Sequence, residues 1–315
     1  MVLLLQTFNK LCSKLDNHHH HHHHRRHGSQ ASSAASHLQA FESDVSSCLI
    51  QFSASSSDSR LLSFPWLLQL LQTLPIVHQA FTKLAVNLEH PVGQWPPDLV
   101  DGYLNYTLNL LDLLNSVSFS LSQLGQSRLL LSHALGLIQS SPSMAVERMK
   151  PIVPKKNFRE FEIKAAVRDR RKGCSGEDWA IERALVTMEG IGYWVCGIVL
   201  SGCEGDSTAY LAARKSAAGV AISSFKSLDS VVLEAVSGKG SVPEEVEELN
   251  EAAALVAADL VNGRSGSGGA AEEMRRRSER LEKEVERLRK EVDGRFSEVL
   301  DGRSRLLDVF REGKH

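Results

Sequence analysis

An all-α fold, an elongated antiparallel helical bundle with a long charged C-terminal helix, is what the sequence predicts, on three observations. Leu, Ser and Ala dominate the composition while aromatic residues are only 6%, which suits helix-on-helix packing better than sheet pairing. Apolar residues recur at three- and four-residue steps over long stretches. Pro and Gly/Ser clusters punctuate those stretches at intervals expected for turns. With 315 residues, 42% of them apolar, the chain is long enough to bury a substantial core. Its net charge of −2 provides no global field for nucleic acid or for acidic substrates. Nucleic-acid binding has no support, because no aromatic platform or reading motif accompanies any basic stretch.

The organisation expected is a disordered, low-complexity N-terminus over residues 1–33 and a helical bundle domain over 34–312. The N-terminal stretch carries an uninterrupted run of seven histidines, His18 to His24. That run lacks the fixed spacing and supporting partners of a defined metal site, so no metal or catalytic role is assigned to it. One acid, Asp16, occurs in the first forty residues, and the stretch is rich in Ser. A chloroplast transit peptide is one reading of it; a cytoplasmic or peripheral-membrane location is the other. The five cysteines contain no CxxC pair, and an odd number cannot all pair within the chain, which favours a reducing compartment. Cys196 and Cys203, seven apart, could form a metal or redox pair; small buried apolar residues is the preferred reading.

The first helix is expected from about Ala34 to Phe52, with Leu38, Phe41, Val45, Cys48 and Leu49 on one side. Phe64-Pro65-Trp66 reads as a helix start, since proline is tolerated in the first turn. Pro75 should kink or split the helix that runs on to Leu88. Residues 89–97, EHPVGQWPP, form a rigid turn, with Trp95 anchoring it to the bundle. Residues 98–138 carry the most continuous helical signal. Two rows, Val100/Leu104/Leu111/Leu114/Leu121 and Leu99/Tyr103/Tyr106/Leu110/Leu113/Val117, merge into an apolar face wide enough for two partner helices. The opposite row runs Asp101, Asn105, Asp112, Ser116, Ser120, Gln123. Gly125 marks a kink or brief break, and the helix is placed at the centre of the bundle.

Residues 147–176 read as a basic linker containing a short helix, FREFEIKAAVRDRR. Ten Lys/Arg face four Asp/Glu between Glu147 and Lys172. Lys155, Lys156, Arg168, Arg170, Arg171 and Lys172 are the candidate contacts to an anionic membrane surface or a protein partner. The next helix, Glu177 to Ser201, becomes uncharged from Gly190 to Cys203. Fourteen residues span roughly 21 Å as a helix against roughly 30 Å of hydrocarbon, so a buried bundle helix is preferred to a membrane span. No GxGxxG motif occurs there and no strand precedes it, so nucleotide binding is unsupported and no cofactor is expected.

A helix is expected from Thr208 to Val236, then an acidic helix to about Val261 holding six acids and no base, a natural partner for the basic linker. A Gly/Ser linker, 262–269, leads to a long charged helix, 270–311. Leu281, Val285, Leu288 and Val292 step by 4, 3 and 4, and Glu272/Arg276, Glu273/Arg277, Glu279/Lys283 and Glu286/Lys290 are spaced for i,i+4 pairs. Its first half is expected to project and its later half to dock on the bundle, and the helix over 270–311 offers a surface for self-association. No catalytic constellation is apparent. His133, on or beside an apolar stripe, Cys174 and Asp112 are the candidates an enzyme reading would have to use; a core or boundary histidine is the preferred reading of His133.

The stretch from Leu88, LEHPVGQWPPDLVDGYLNYTLNLLDLLNSVSFSLSQLGQSRLLLSHAL, resembles the core signature of the plant BYPASS family, a Leu-Glu-x-Pro-Val turn and Trp before a Val-Asp-x-Tyr-Leu helix. Lys290 to Leu307, KEVDGRFSEVLDGRSRLL, resembles that family's closing helix, and GIGYWVCGIVLSG sits where the family has its apolar penultimate segment. The N-terminus departs from the pattern, the His run replacing an Arg-Pro-Gln-rich opening, as does the Gly/Ser linker. The resemblance implies a helical, non-enzymatic regulator of root and shoot development that restrains a root-derived mobile signal dependent on carotenoid synthesis. It transfers no catalytic residue. A peripheral membrane scaffold linked to secretion is the alternative reading.

Overall fold

The computed structural model describes residues 27–55, 60–90, 92–154, 176–239, 242–263 and 268–312. Among these residues the chain is helical and contains no strand. The His run, the helix expected within 158–171 and the middle of the Gly/Ser linker, 264–267, lie outside the described residues.

Helix α1 spans His27–Ser55, starting seven residues before the expected Ala34, so residues 27–33 belong to a helix rather than to an unstructured terminus. Leu38, Phe41, Val45, Cys48, Leu49 and Phe52 are all buried. Proline splits the next helix as its chemistry requires. α2 (Phe64–Leu71) has Pro65 in its first turn and is capped by the Ser63 hydroxyl, which accepts from the Trp66 N–H. α3 (Thr73–Asn87) follows directly, with Pro75 near its start. The turn at 89–97 contains a short 3₁₀ segment, Val92–Gln94. Trp95 is buried there, donates from Nε1 to the His90 carbonyl at 3.1 Å, and packs against Phe81 and Tyr103.

α4 (Pro97–Gly136) runs unbroken through Gly125. Its two apolar rows are buried apart from the half-buried Tyr103 and Leu104. The opposite face departs from expectation at Ser120, which is buried and donates to Glu204 Oε1 at 3.1 Å. A short helix the periodicity did not reveal, α5 (Pro142–Arg148), follows. Beyond it Ile152 is buried, and its backbone is clamped by the Asn250 side chain, which accepts from Ile152 N at 2.7 Å and donates to its carbonyl at 2.9 Å.

α6 (Gly176–Glu204) is the hub, a place the periodicity had suggested for α4. Every residue from Gly190 to Glu204 is buried, and the helix packs against α1, α2, α3 and α4. It is long and apolar enough to cross a membrane by length and composition, yet 89% of its most apolar window is covered by protein. α4 instead lies between α6 and the last helix, with an outer face that leaves Leu108, Phe119, Leu129 and Leu130 exposed. α4 and α6 run parallel: Asn109 meets Tyr193, and farther along both helices in the same sense Ser120 meets Glu204. The long connection between them, 137–175, lets the chain return to the same end, so the antiparallel arrangement is confined to other pairs.

The helix expected over 208–236 is two. α7 (Thr208–Ser216) gives way to a 3₁₀ turn, Ala217–Gly219, and α8 (Ser223–Lys239) follows. The break lies over Gly190, where an added Cβ would stand 2.7 Å from Val220 Cγ2 and 3.1 Å from Ala217 Cα. The chain turns because it passes too close to α6 to continue straight. α9 (Glu244–Val261) is the acidic helix. Among the described residues its acids pair with arginines, Glu244 with Arg60 at 2.8 Å and Glu248 with Arg280 at 3.0 Å, while the cations of the basic linker from 155 on lie outside the described residues.

α10 (Gly268–Glu312) does not project. Met274, Leu281, Val285, Leu288 and Val292 of its first half are buried, as are Val299 and Leu306 farther on. It lies antiparallel along α4, with Ser132 to Ser278 at 2.9 Å, Arg128 to Glu282 at 2.8 Å and Thr107 to Arg303 at 3.0 Å. The Leu281/Val285/Leu288/Val292 row is used inside the chain, where the helix packs against α4 and α9. Of the four expected i,i+4 pairs, Glu273–Arg277 and Glu286–Lys290 form, while Arg276 turns to Glu273.

Candidate functional site

A small cavity between α3, the 92–97 turn, α4 and α10 gathers the most chemically varied side chains. His78, Phe81, Trp95, Tyr103, Met188, Glu298 and Arg305 are among its walls. α3 supplies His78 one turn before the Phe81 ring, and α10 closes the cavity from above with Glu298 and Val299. Its volume is about 50 Å³, the scale of one or two waters and well below the hundreds of Å³ a metabolite needs.

A polar chain runs inward from it. His78 Nε2 is hydrogen-bonded to the Tyr106 hydroxyl, the Tyr106 and Tyr193 rings meet at 5.7 Å, and Asn109 Nδ2 donates to the Tyr193 hydroxyl at 3.0 Å. Gly192 makes room for the chain, since a Cβ there would stand 2.8 Å from the Tyr106 hydroxyl. Burial, reinforced by the nearby Arg295 cation, pushes His78 down to about 4. Burial above all, then Tyr193, pushes Tyr106 well above the usual phenol range. The imidazole is therefore neutral and the phenol protonated at neutral pH. The pair joins α3 to α4, Tyr193 extends the contact to α6, and neither member of the pair is poised as a nucleophile or base.

The depressed histidine sets a pH dependence. An imidazole titrates near 6.5 in the unfolded chain, so between about 6.5 and 4 the unfolded state binds the extra proton. The stability that His78 contributes is complete above about pH 6.5 and is lost as pH falls towards 4. His78→Gln should lose less stability than the parent chain between about pH 7.5 and about pH 5, by about 2 kcal/mol. Urea midpoints at the two pH values measure this. Glu298 and Glu245, both raised by burial, act in the opposite direction and are common to the two proteins. Parallel pH curves would contradict the assignment.

Other buried polar groups are likewise tied between helices. Asp229 on α8 accepts from Trp194 Nε1 at 2.8 Å, from the Tyr210 hydroxyl at 2.8 Å and from Arg214 Nε at 2.7 Å. Glu245 on α9 reaches across to cap α2 through the Phe64 N–H at 3.3 Å. These partners come from different helices and were invisible to any spacing rule.

The sequence-predicted candidates do not converge. Lys155, Lys156, Arg168, Arg170, Arg171, Lys172 and Cys174 lie outside the described residues. Asp112 and His133 sit on one helix, 21 residues and so roughly 30 Å apart. His133 is exposed rather than in the core or at its edge, and is bonded by Arg148 Nη1 at 3.4 Å. Among the described residues no three His, Cys, Asp or Glu side chains stand close enough to hold a metal ion. Cys196 and Cys203 are buried, and desolvation pushes Cys196 up to about 12, Cys203 higher still, and Cys48 to about 11. Maleimide should leave these three thiols unlabelled in the native chain and modify them in urea, read by peptide mass spectrometry. Rapid native labelling of Cys196 would contradict its burial.

No family model matches the sequence, and no solved structure matches it. Three curated plant proteins do. Protein BPS1, chloroplastic, of Arabidopsis thaliana is 33% identical over 104 residues, covering 33% of this chain and 30% of the relative. UPF0496 protein 4 of Oryza sativa subsp. indica is 30% identical over 167 residues, 46% of this chain and 36% of the relative, and its japonica counterpart matches equally. The chain thus aligns with about a third of the length of each relative. The similarity is modest in identity and consistent across the three plant relatives.

Proposed function

We propose that this chain is a non-enzymatic regulator of plant root and shoot development that works through protein contacts and restrains a root-derived mobile signal dependent on carotenoid synthesis. The observation that carries the reading is the similarity to BPS1. The use of the buried ionisable groups supports it: Asp229, Glu245 and the His78–Tyr106 pair are each engaged in joining helices. The test is a loss-of-function plant grown with and without an inhibitor of carotenoid synthesis. Arrested shoot growth that the inhibitor relieves is the expected result; arrest that the inhibitor leaves unchanged would overturn the signal-restraining role.

Peripheral membrane association linked to secretion is the second reading, and the density of cations at 155–172 favours it. It places the protein on a cytoplasmic membrane face, whereas the Arabidopsis relative is named chloroplastic. Fractionation decides. A membrane pool that is lost when Lys155, Lys156, Arg170 and Arg171 are changed to Glu supports the second reading, and a soluble pool insensitive to those changes removes it.

A further inference from the structure

We infer that the groove between α4 and α10 is a binding site for a phosphate-bearing ligand, with the phosphate seated against the guanidinium of Arg289. The two helices are bonded at Arg128–Glu282 and again at Thr107–Arg303. Beside the first of these contacts lies an open groove of about 800 Å³, within the size range of small-molecule sites.

Its electrostatics are unbalanced. Five cations, among them Lys283, Arg287 and Arg289, line it against two carboxylates. Both carboxylates are already engaged, Glu282 by Arg128 at 2.8 Å and Glu286 by Lys290 at 4.0 Å. Arg287 turns to Glu284 at 3.0 Å. The Nε of Arg289 is buried and has no hydrogen-bond partner, although a buried guanidinium N–H without an acceptor is costly. Lys283, spaced to pair with Glu279, makes no ion pair among the described residues.

Gly125 completes the geometry. A Cβ at that position would stand 3.8 Å from a terminal nitrogen of Arg289, at ordinary contact distance, so the guanidinium lies beside the bare backbone of α4 where both residues line the groove. The Gln126 amide stands on the same wall and adds neutral N–H donors. A planar fork of N–H donors, supporting cations and neutral donors together match the oxygens of a phosphomonoester better than a single carboxylate. Leu129, 57% exposed at the rim, offers an apolar surface to the remainder of the ligand.

The test uses the full chain and two probes: inositol trisphosphate in solution, followed by titration calorimetry, and flotation with phosphatidylcholine vesicles made with and without phosphatidylinositol bisphosphate. Salt-sensitive binding is expected. Arg289→Gln should weaken it roughly tenfold or more by removing the charge-assisted bonds. Gly125→Asp should abolish it by placing an internal carboxylate on Arg289, while adding little strain to the helix. Lys283→Glu, at an exposed position, tests the same field without disturbing the core. Binding of the soluble probe alone supports a free phosphorylated ligand, and binding of bisphosphate vesicles, with or without the soluble probe, supports a lipid headgroup. No binding of either probe by the parent chain, or binding that these variants leave unchanged, would overturn the site.

Discussion

Asp229→Ala is expected to destabilise the fold by about 4 kcal/mol, because it removes one acceptor from three donors at once. Trp194 and Tyr210 are fully buried, so their Nε1–H and O–H would be left without water or partner. Arg214 contributes less, since 42% of its side chain is exposed and its ion pair is screened. Asp229→Asn keeps one oxygen to accept from both Trp194 and Tyr210, loses the acceptor facing Arg214, and should cost about half as much. The contact matters beyond its own energy because Trp194 lies on α6, Tyr210 and Arg214 on α7 and Asp229 on α8. The carboxylate holds the two shorter helices against the hub across the break at Ala217–Ile222. Urea unfolding followed by circular dichroism measures both variants. A loss below about 1 kcal/mol for the alanine variant would mean that water reaches this cluster.

Gly197→Ala is the second change with a large expected effect, and its sign runs against helix propensity. Alanine is favoured over glycine in a helix interior by about 1 kcal/mol. At Gly197, however, the new Cβ would stand 2.5 Å from Ala213 Cβ, 3.0 Å from the Ala209 carbonyl and 3.3 Å from Tyr210 Cα. Two of those neighbours are backbone and cannot swing aside, so α7 would have to move off α6. A net destabilisation of about 2 kcal/mol is expected, the overpacking cost of roughly 3 exceeding the propensity gain. Gly294→Ala on α10 is the internal comparison: a Cβ there meets nothing within 4 Å, and the substitution should stabilise by roughly 0.5–1 kcal/mol. Opposite shifts in melting temperature are expected from two identical chemical changes.

The helices, their order and most of the buried face of α4 could be read from the sequence because amphipathic periodicity and proline placement are local properties. Pro65 and Pro75 marked two helix starts, and Trp95 its own anchoring role, for that reason. What escaped was set by approach between distant segments. The break at Ala217–Ile222 follows from the crowding at Gly190, and nothing in the alanine-rich stretch itself signals it. α10 carries so much charge that its first half read as solvated, yet its narrow row of Leu281, Val285, Leu288 and Val292 is enough to dock it on α4 and α9. α6 reads as a hub only once its neighbours are known, since a uniformly apolar stretch has no preferred face. The site was the least readable part: His78, Tyr106 and Tyr193 come from three helices, and Arg289 is conspicuous only because Gly125 lies opposite.

Hydrogen–deuterium exchange of the full chain, without detergent or lipid, tests most directly that the apolar half of α6 is the buried axis of a helical bundle. Amides from Gly190 to Cys203 should be the slowest to exchange in the molecule, slower than those of α9 and of the outer turns of α4. Exchange of that segment as fast as the exposed helices, or slowed only when membrane is added, would contradict its place at the centre of the fold.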